Sequence, residues 1–234
     1  MRRTWRFRLA KRGRMRFLSH LDLIRAIARG FRRAGLVLAR SEGFHPHPLF
    51  SFGPALAVGI ESEAEYFDAV FGEEPGPGDE LAARINDVLP EGLALREAAR
   101  PTFNGPSLAA AIDAASYSLR LDGPPEAAEA FLALLDCAEL PFERRGREGA
   151  GRRIDLRPLL FDVCVPKLRG REVRLLGMVG SKGNLRPEEL VFFIEGATVG
   201  RILRTGLYHR RDGLLLEPIH GRVMDWKEIG GPEE

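Results

Sequence analysis

The sequence predicts an α+β chain of two ferredoxin-like (βαββαβ) units in tandem, over residues 1–104 and 108–234. Three observations lead there. Over the first hundred residues, apolar positions recur at strand or helix spacing in the order strand, helix, strand, strand, helix, strand, which is the order of a βαββαβ unit. Pro101-Thr102-Phe103-Asn104-Gly105-Pro106-Ser107 then concentrates linker residues. A second alternation of strand and helix patterns follows it.

Residues 4–10 read as a strand, with Trp5, Phe7 and Leu9 on one face and Arg6 and Arg8 on the other. Lys11-Arg12-Gly13 marks a turn. A helix from about Ser19 to Ala34 follows. Ser19 is a natural N-cap with Asp22 three residues on, and Gly35 is placed to end the helix. Leu21, Ile24, Ala28 and Phe31, with Ile27 beside them, are expected to form the buried stripe. Arg25, Arg29, Arg32 and Arg33 share the other side. Leu36–Ala39, Ala55–Ile60 and Tyr66–Phe71 read as strands, the last two joined through a Glu61-Ser62-Glu63 bend. Asp79 is placed to cap a helix over 80–89, and Leu93–Ala99 is a further strand. Such a sheet carries helices on one face and leaves the other open to a ligand or partner.

In the second half, 117–121 reads as a strand, 125–137 as a helix and the residues around 142–145 as a strand. The Gly- and Arg-rich run 144–153 reads as a mobile hairpin tip, and Ile154–Val165 and Val173–Val179 as paired strands. A short helix starts near Pro187, a good first helical residue. The tail from Asp212 onward is expected to be poorly ordered, at least past Trp226.

Composition excludes several classes. The hydrophobic fraction of 44% and charged fraction of 29% are those of an ordinary soluble globular protein. No apolar run approaches a membrane span. Cys137 and Cys164 stand alone, which favours a reducing cytoplasm over a disulfide framework. Without a cysteine triplet the chain cannot hold a radical-SAM iron–sulfur cluster. No dinucleotide fingerprint or nucleophile elbow appears, and neither a cofactor nor a resident metal is predicted. The net charge of +2 hides an asymmetry: the first forty residues carry thirteen Lys or Arg and one acid, Asp22, and the next sixty are acid-rich. A basic stripe of this kind suits a polyanion; the alternative is a solvated face.

The most particular stretch is 41–68. Pro46 and Pro48 push His45 and His47 out of the helical region, so the two imidazoles are expected on one face of an extended segment flanked by Phe44, Phe50 and Phe52. The runs Gly43-Phe44-His45-Pro46-His47-Pro48, Ser51-Phe52-Gly53-Pro54-Ala55-Leu56 and Glu61-Ser62-Glu63-Ala64-Glu65 resemble a bacterial family known as radical-SAM-linked proteins. Phe17-Leu18-Ser19-His20-Leu21-Asp22-Leu23-Ile24-Arg25, Ile154-Asp155-Leu156-Arg157-Pro158 and Gly183-Asn184-Leu185-Arg186-Pro187-Glu188-Glu189 match it too. That family is a domain of unknown function, found alone or fused after a cobalamin-binding radical-SAM enzyme. The resemblance implies such a protein as partner and implies no reaction.

His20, His45 and His47 are the candidates for chemistry. A His-x-His pair can bind a metal if the fold brings a third ligand. Imidazole can move protons near neutral pH, with an acid from 61–68 to orient a ring. The three can also contact a ligand without chemistry, or simply finish a cap and a tight loop. The ligand-contacting set predicted here is Ser19, His20, Asp22, Arg25, Arg29, Arg32, Arg33, Ser41, Phe44, His45, His47, Ser51 and Glu65. Ser181, Lys182, Gly183 and Asn184, before a helix N-terminus, form a generic anion site.

The function predicted from these features is a non-catalytic, cytoplasmic module that binds RNA or a ribonucleoprotein and works with a separate radical-SAM enzyme. Two alternatives stand beside it. One is an RNA-processing endonuclease using His general acid-base chemistry, similar in fold layout to CRISPR repeat-processing endonucleases. The other is a protein-interaction scaffold presenting the acidic region 61–91.

Overall fold

The structure, a computed structural model, describes residues 3–102, 106–145, 151–166 and 171–230. It is mixed α+β. The first half runs β1 (Arg3–Lys11), α1 (His20–Arg33), β2 (Phe50–Phe52), β3 (Glu61–Phe71), α2 (Gly78–Asn86) and β4 (Leu93–Ala99). The second half runs α3 (Leu108–Ala111), β5 (Ala114–Asp122), α4 (Ala127–Ala130), β6 (Pro141–Arg145), β7 (Gly151–Asp155), β8 (Leu160–Cys164), β9 (Glu172–Met178), α5 (Pro187–Leu190) and β10 (Thr198–Arg211). It closes with β11 (Leu214–Leu216), β12 (Val223–Met224) and α6 (Trp226–Gly230). One ten-stranded sheet is ordered β4-β1-β3-β10-β5-β9-β8, with β2 also on β3, β11 on β10 and β12 on β11. Its pairings are antiparallel except β3 with β10, which run parallel through Leu203 opposite Glu61 and Arg204 opposite Ser62. β6 and β7 form a separate hairpin. The expected tip at 146–150 lies outside the described residues, as do 103–105 of the expected linker and the last four residues.

Strand β1 shows why the sequence folds this way. Trp5, Phe7 and Leu9 are buried at period two. Phe7 stacks on Phe67 of β3 at 5.0 Å and meets Phe31 of α1 edge-on at 5.3 Å. Phe50 and Phe52 of β2 join the same cluster. Each buried aromatic contributes about 1.5–3 kcal/mol of transfer free energy, and good ring geometry adds about 0.5–1.5 kcal/mol per pair. Helix α1 begins as predicted: Ser19 Oγ accepts from Asp22 N at 3.2 Å and donates to Asp22 Oδ2 at 2.7 Å. It ends at Gly35, whose φ of +68° lets Leu36 N reach back to Phe31 O at 3.0 Å.

Several expectations are corrected. The buried stripe of α1 is Leu23, Ile27, Gly30 and Phe31, and Leu21 is 63% exposed. The helix is rotated because the i, i+4, i+8 ladder 23-27-31 puts its largest ring into the aromatic cluster, while Gly30 makes room for Leu89. Ala55–Ile60 is irregular chain, and the predicted bend at 61–63 is the start of β3. Leu36–Ala39 pairs only through an isolated bridge from Leu38 to Phe71. The expected strand 154–165 is broken by a turn at 157–159. There Asp155 Oδ1 accepts from Leu140 N and Arg157 N, and Arg157 donates to two carbonyls.

The tail is ordered through 230. Leu215 and Ile219 are buried, and Glu217 accepts from the amides of Ile219 and His220 at 2.7 and 2.8 Å. It also covers the sheet face expected to be open. Arg6 Nη1 donates to Pro218 O at 2.6 Å, and His220 Nε2 lies 2.6 Å from Glu97 Oε1.

The two halves are joined by buried charge. Arg204, 1% exposed on β10, donates its Nε to Glu65 Oε1 on β3 at 3.0 Å, and its Nη2 contacts the same oxygen and Pro54 O. Tyr117 stands directly opposite it across the β5–β10 pairing. Lys11, also 1% exposed, donates to the carbonyls of Arg16 and Leu18, each at 3.4 Å. Removing one partner of a buried pair strands the other charge, at a cost of about 3–5 kcal/mol. Arg204→Met should therefore lower the melting temperature by roughly 6–20 °C, taking about 2–4 °C per kcal/mol for a chain of this size. The double change Glu65→Leu with Arg204→Met should recover most of that loss in the same melt, whereas additive losses would show that the pair is not coupled.

Candidate functional site

The Arg-rich start and the acid-rich stretch that follows are, in large part, partners. Antiparallel pairing sets Arg6 opposite Asp68, and the guanidinium grips that carboxylate at 2.7 and 3.0 Å. Arg12 bonds to Glu61 and Glu63, Arg96 to Glu63, Arg201 to Glu61 and Arg3 to Glu74. Burial alone would raise the Glu61 carboxyl. The hydrogen bonds from Arg201 and Gly13 N and the Arg201 charge outweigh it and leave the group below the ordinary carboxylate range. The acids from 61 to 68 are thus engaged by arginine: Glu61 and Glu63 as above, Glu65 by Arg204 and Asp68 by Arg6. Among the described residues no hydrogen bond joins an imidazole to any of these four acids. The acidic surface expected over 61–91 is reduced by the same pairing with arginine.

Several arginines of α1 and of the chain just after it stand outside this network. Arg29, Arg32 and Arg40 line a shallow groove of about 420 Å³ between α1 and the segment 36–48, floored by Phe31, Leu36, Leu38 and Pro48. Among the described residues no carboxylate lines it. Arg25 and Arg33 stand to the side: Arg25 pairs with Asp22 at 3.2 Å, and Arg33 donates to Val88 O. Of the predicted set, Ser19 and Asp22 are occupied by the helix cap, Ser51 lies in β2 opposite Asp68, and Glu65 is in the buried pair.

The His-Pro segment is the tip of a protruding hairpin-like excursion. Ala39 N bonds to Val70 O at 2.8 Å, Leu49 N to Ala39 O at 3.0 Å, and Arg40 bridges to Pro48. Ser41 closes the tip: its amide donates to His47 O at 2.9 Å and its hydroxyl lies 2.9 Å from His47 Nδ1. His45 and His47 are exposed, and Phe44 is wholly so. Among the described residues no group of three His, Cys, Asp or Glu is placed to hold a metal.

His20 is in other surroundings. At the first position of α1 it is half-buried, edge-on to Phe52 at 5.5 Å. Burial holds its imidazole below the ordinary value. Glu65 pulls the other way, and Arg204 and Lys11 add to the lowering. The stretch Asn184-Leu185-Arg186-Pro187-Glu188 comes to this seam as well, for Leu185 and Glu188 share a small pocket with Leu56, Ile60, Tyr117 and Arg204. Ser181, Lys182 and Asn184 are exposed, and the helix after them has four residues, too few for a sizeable dipole. Asn184 O and Glu189 both bond to Arg144.

A second, larger cleft of about 850 Å³ lies across the seam, with Arg12, Arg120, Arg171 and Arg201 in its wall. None is among the candidates predicted from sequence. They are scattered from the first turn to the last long strand, and only sheet pairing brings them together.

The lowered His20 fixes the sign of a pH effect. Its folded-state pKa lies below the unfolded value of about 6.5. The stability it contributes is present above about pH 6.5 and is lost as pH falls through the folded pKa, because the unfolded chain takes up the proton first. A nuclear magnetic resonance titration should place the His20 inflection below about 6.5, and His20→Gln should flatten stability against pH in that window. An inflection above it would contradict the burial described here.

A family model described as "Uncharacterized protein conserved in bacteria (DUF2344)" matches residues 4–187. Among solved structures, the chain is similar to one in the crystal structure of a Cbf5-Nop10-Gar1 complex, at 12% identity and a TM-score of 0.45, covering 87% of this chain and 48% of that one. It is similar also to one in an archaeal box H/ACA sRNP Nop10-Cbf5 complex, at 11% identity and a TM-score of 0.41, covering 86% and 46%. The chain spans about half the length of these matched chains. No curated protein matches it. No helix among the described residues is long and apolar enough to cross a membrane.

Proposed function

The chain belongs to the family of uncharacterized proteins conserved in bacteria (DUF2344), and we propose that it serves as a non-catalytic module that binds RNA or a ribonucleoprotein. One observation carries the reading: Arg29, Arg32 and Arg40 line a groove with an apolar floor and, among the described residues, no carboxylate. Guanidinium groups grip phosphate oxygens through paired N–H donors. The exposed Phe44 ring, beside His45 and His47 at the hairpin tip, supplies a face on which an unpaired base can stack. A single strand with its phosphates on α1 and a base on Phe44 fits this arrangement.

The domain layout belongs to the same reading. The order β4-β1-β3 with β2 beyond β3, and the order β10-β5-β9-β8, support two ferredoxin-like units over 1–104 and 108–234, joined through β3 and β10. The β6–β7 hairpin is then an insertion in the second unit. A cobalamin-binding radical-SAM protein as partner is supported by the motif resemblance alone. In that pairing this chain presents the substrate and the partner performs the chemistry.

The test is a filter-binding titration of labelled single-stranded RNA over a salt series. Affinity should fall steeply with salt, and Arg29→Ala/Arg32→Ala/Arg40→Ala should reduce the log–log slope by roughly 2, at about 0.7 per phosphate contact. Phe44→Ala should cost about 1–3 kcal/mol of binding without changing the slope. No binding at low salt, or binding indifferent to salt, would reject the reading.

A further inference from the structure

The larger arginine-lined cleft lies on the face of β5 turned away from its buried residues Tyr117, Leu119 and Leu121. Pairing of β5 with β10 sets Arg120 directly opposite Arg201. Like charges directly opposite on one sheet face repel. Arg201 is held by Glu61, which also bonds to Arg12 and accepts from Gly13 N at 2.9 Å. One buried carboxylate therefore fixes two guanidinium groups in the wall. Arg171 is fixed at its backbone, where its carbonyl accepts from Leu121 N at 2.9 Å. Among the described residues, neither Arg120 nor Arg171 makes a side-chain hydrogen bond or ion pair, and both are exposed.

Among the described residues the wall holds one carboxylate, Glu172, against four arginines. It lies opposite Arg120 on β9 and is shared with a fifth arginine, taking Arg174 Nε at 3.0 Å and Ser118 Oγ at 3.2 Å on its Oε1. Asp122, two residues along the same face as Arg120, is not part of the wall. The charge left over is positive, paired across the sheet, and opens onto a space too large for one small ion.

We propose that this cleft is a binding site for clustered phosphates, with Arg120 and Arg171 as the gripping pair and Arg12 and Arg201 as the fixed wall. Two sources share that chemistry: a nucleotide's polyphosphate tail and neighbouring phosphates of a nucleic-acid strand. The site is separate from the α1 groove and does not depend on the function proposed for it.

The experiment uses the full chain and two probes, inorganic tripolyphosphate and a short oligouridylate. Tripolyphosphate should raise the melting temperature, because a ligand of the folded state alone stabilises it, and should bind in calorimetry. Arg120→Ala/Arg171→Ala should weaken it at least tenfold, in the wild-type chain and in the Arg29→Ala/Arg32→Ala background alike. Both changed residues are exposed, so the melting temperature of the double variant without ligand should not fall. Arg120→Gln, which keeps length and removes charge, should weaken tripolyphosphate in the same direction. If only the oligouridylate binds, and its affinity in the Arg29→Ala/Arg32→Ala background falls a further tenfold on removing Arg120 and Arg171, the site stands with a nucleic-acid strand as its ligand. If neither probe responds to Arg120 and Arg171, the proposal is overturned, whatever the α1 groove binds.

Discussion

The pairing of Glu65 with Arg204 is the constraint around which the molecule is arranged. It sits where β3 and β10 run parallel, the single parallel contact in the large sheet. A parallel contact cannot be closed by a short turn, so it joins residues 139 apart in sequence. Because the pair is out of water, its remaining donors need partners, and Pro54 O accepts from the guanidinium while Tyr117 stands opposite Arg204 and Lys11 lies close enough to Glu65 to be felt electrostatically. The chain entering α1, the loop before β3 and the stretch 184–188 all come to this seam for the same reason. Stretches that look unrelated in the sequence share one packing problem.

The charge distribution divides along the same line. A block of base followed by a block of acid looks like two surfaces, one for a polyanion and one for a protein. In the fold, much of it is a set of internal couples between β1 and β3, with Asp68 and Glu61 almost wholly covered. Two clusters stand apart from these couples: three guanidinium groups beside α1, and a cleft in which Arg120 and Arg171 lack side-chain partners among the described residues. The net charge of +2 says little about either.

How much of this could be read from the sequence follows from how local each signal is. The cap of α1 and its end at Gly35 were legible because three or four neighbouring residues decide them. The alternation in β1 was legible too, and its Trp5, Phe7 and Leu9 face the core. The rotation of α1 was not, because it depends on which ring finds a place among Phe7, Phe67 and Phe50. The ordering of the tail was invisible for a like reason: Ile219 is buried against strands far earlier in the chain. Of the candidate site, the exposed arginines and the His-Pro tip were legible as composition. Their division into paired and unpaired groups was not, since a couple such as Glu61 and Arg201 lies 140 residues apart.

The parallel seam also sets an order of events during synthesis. Glu65 leaves the ribosome long before Arg204, so through most of translation the first half has an inward carboxylate without its hydrogen-bonding arginine, and Lys11 is the buried cation near it. That half can collapse on its aromatic cluster, yet it cannot bury Glu65 in ionised form without cost. A nascent chain arrested before β10 should hold this carboxylate protonated or turned toward solvent, leaving one sheet edge open to chaperones until the last long strand arrives.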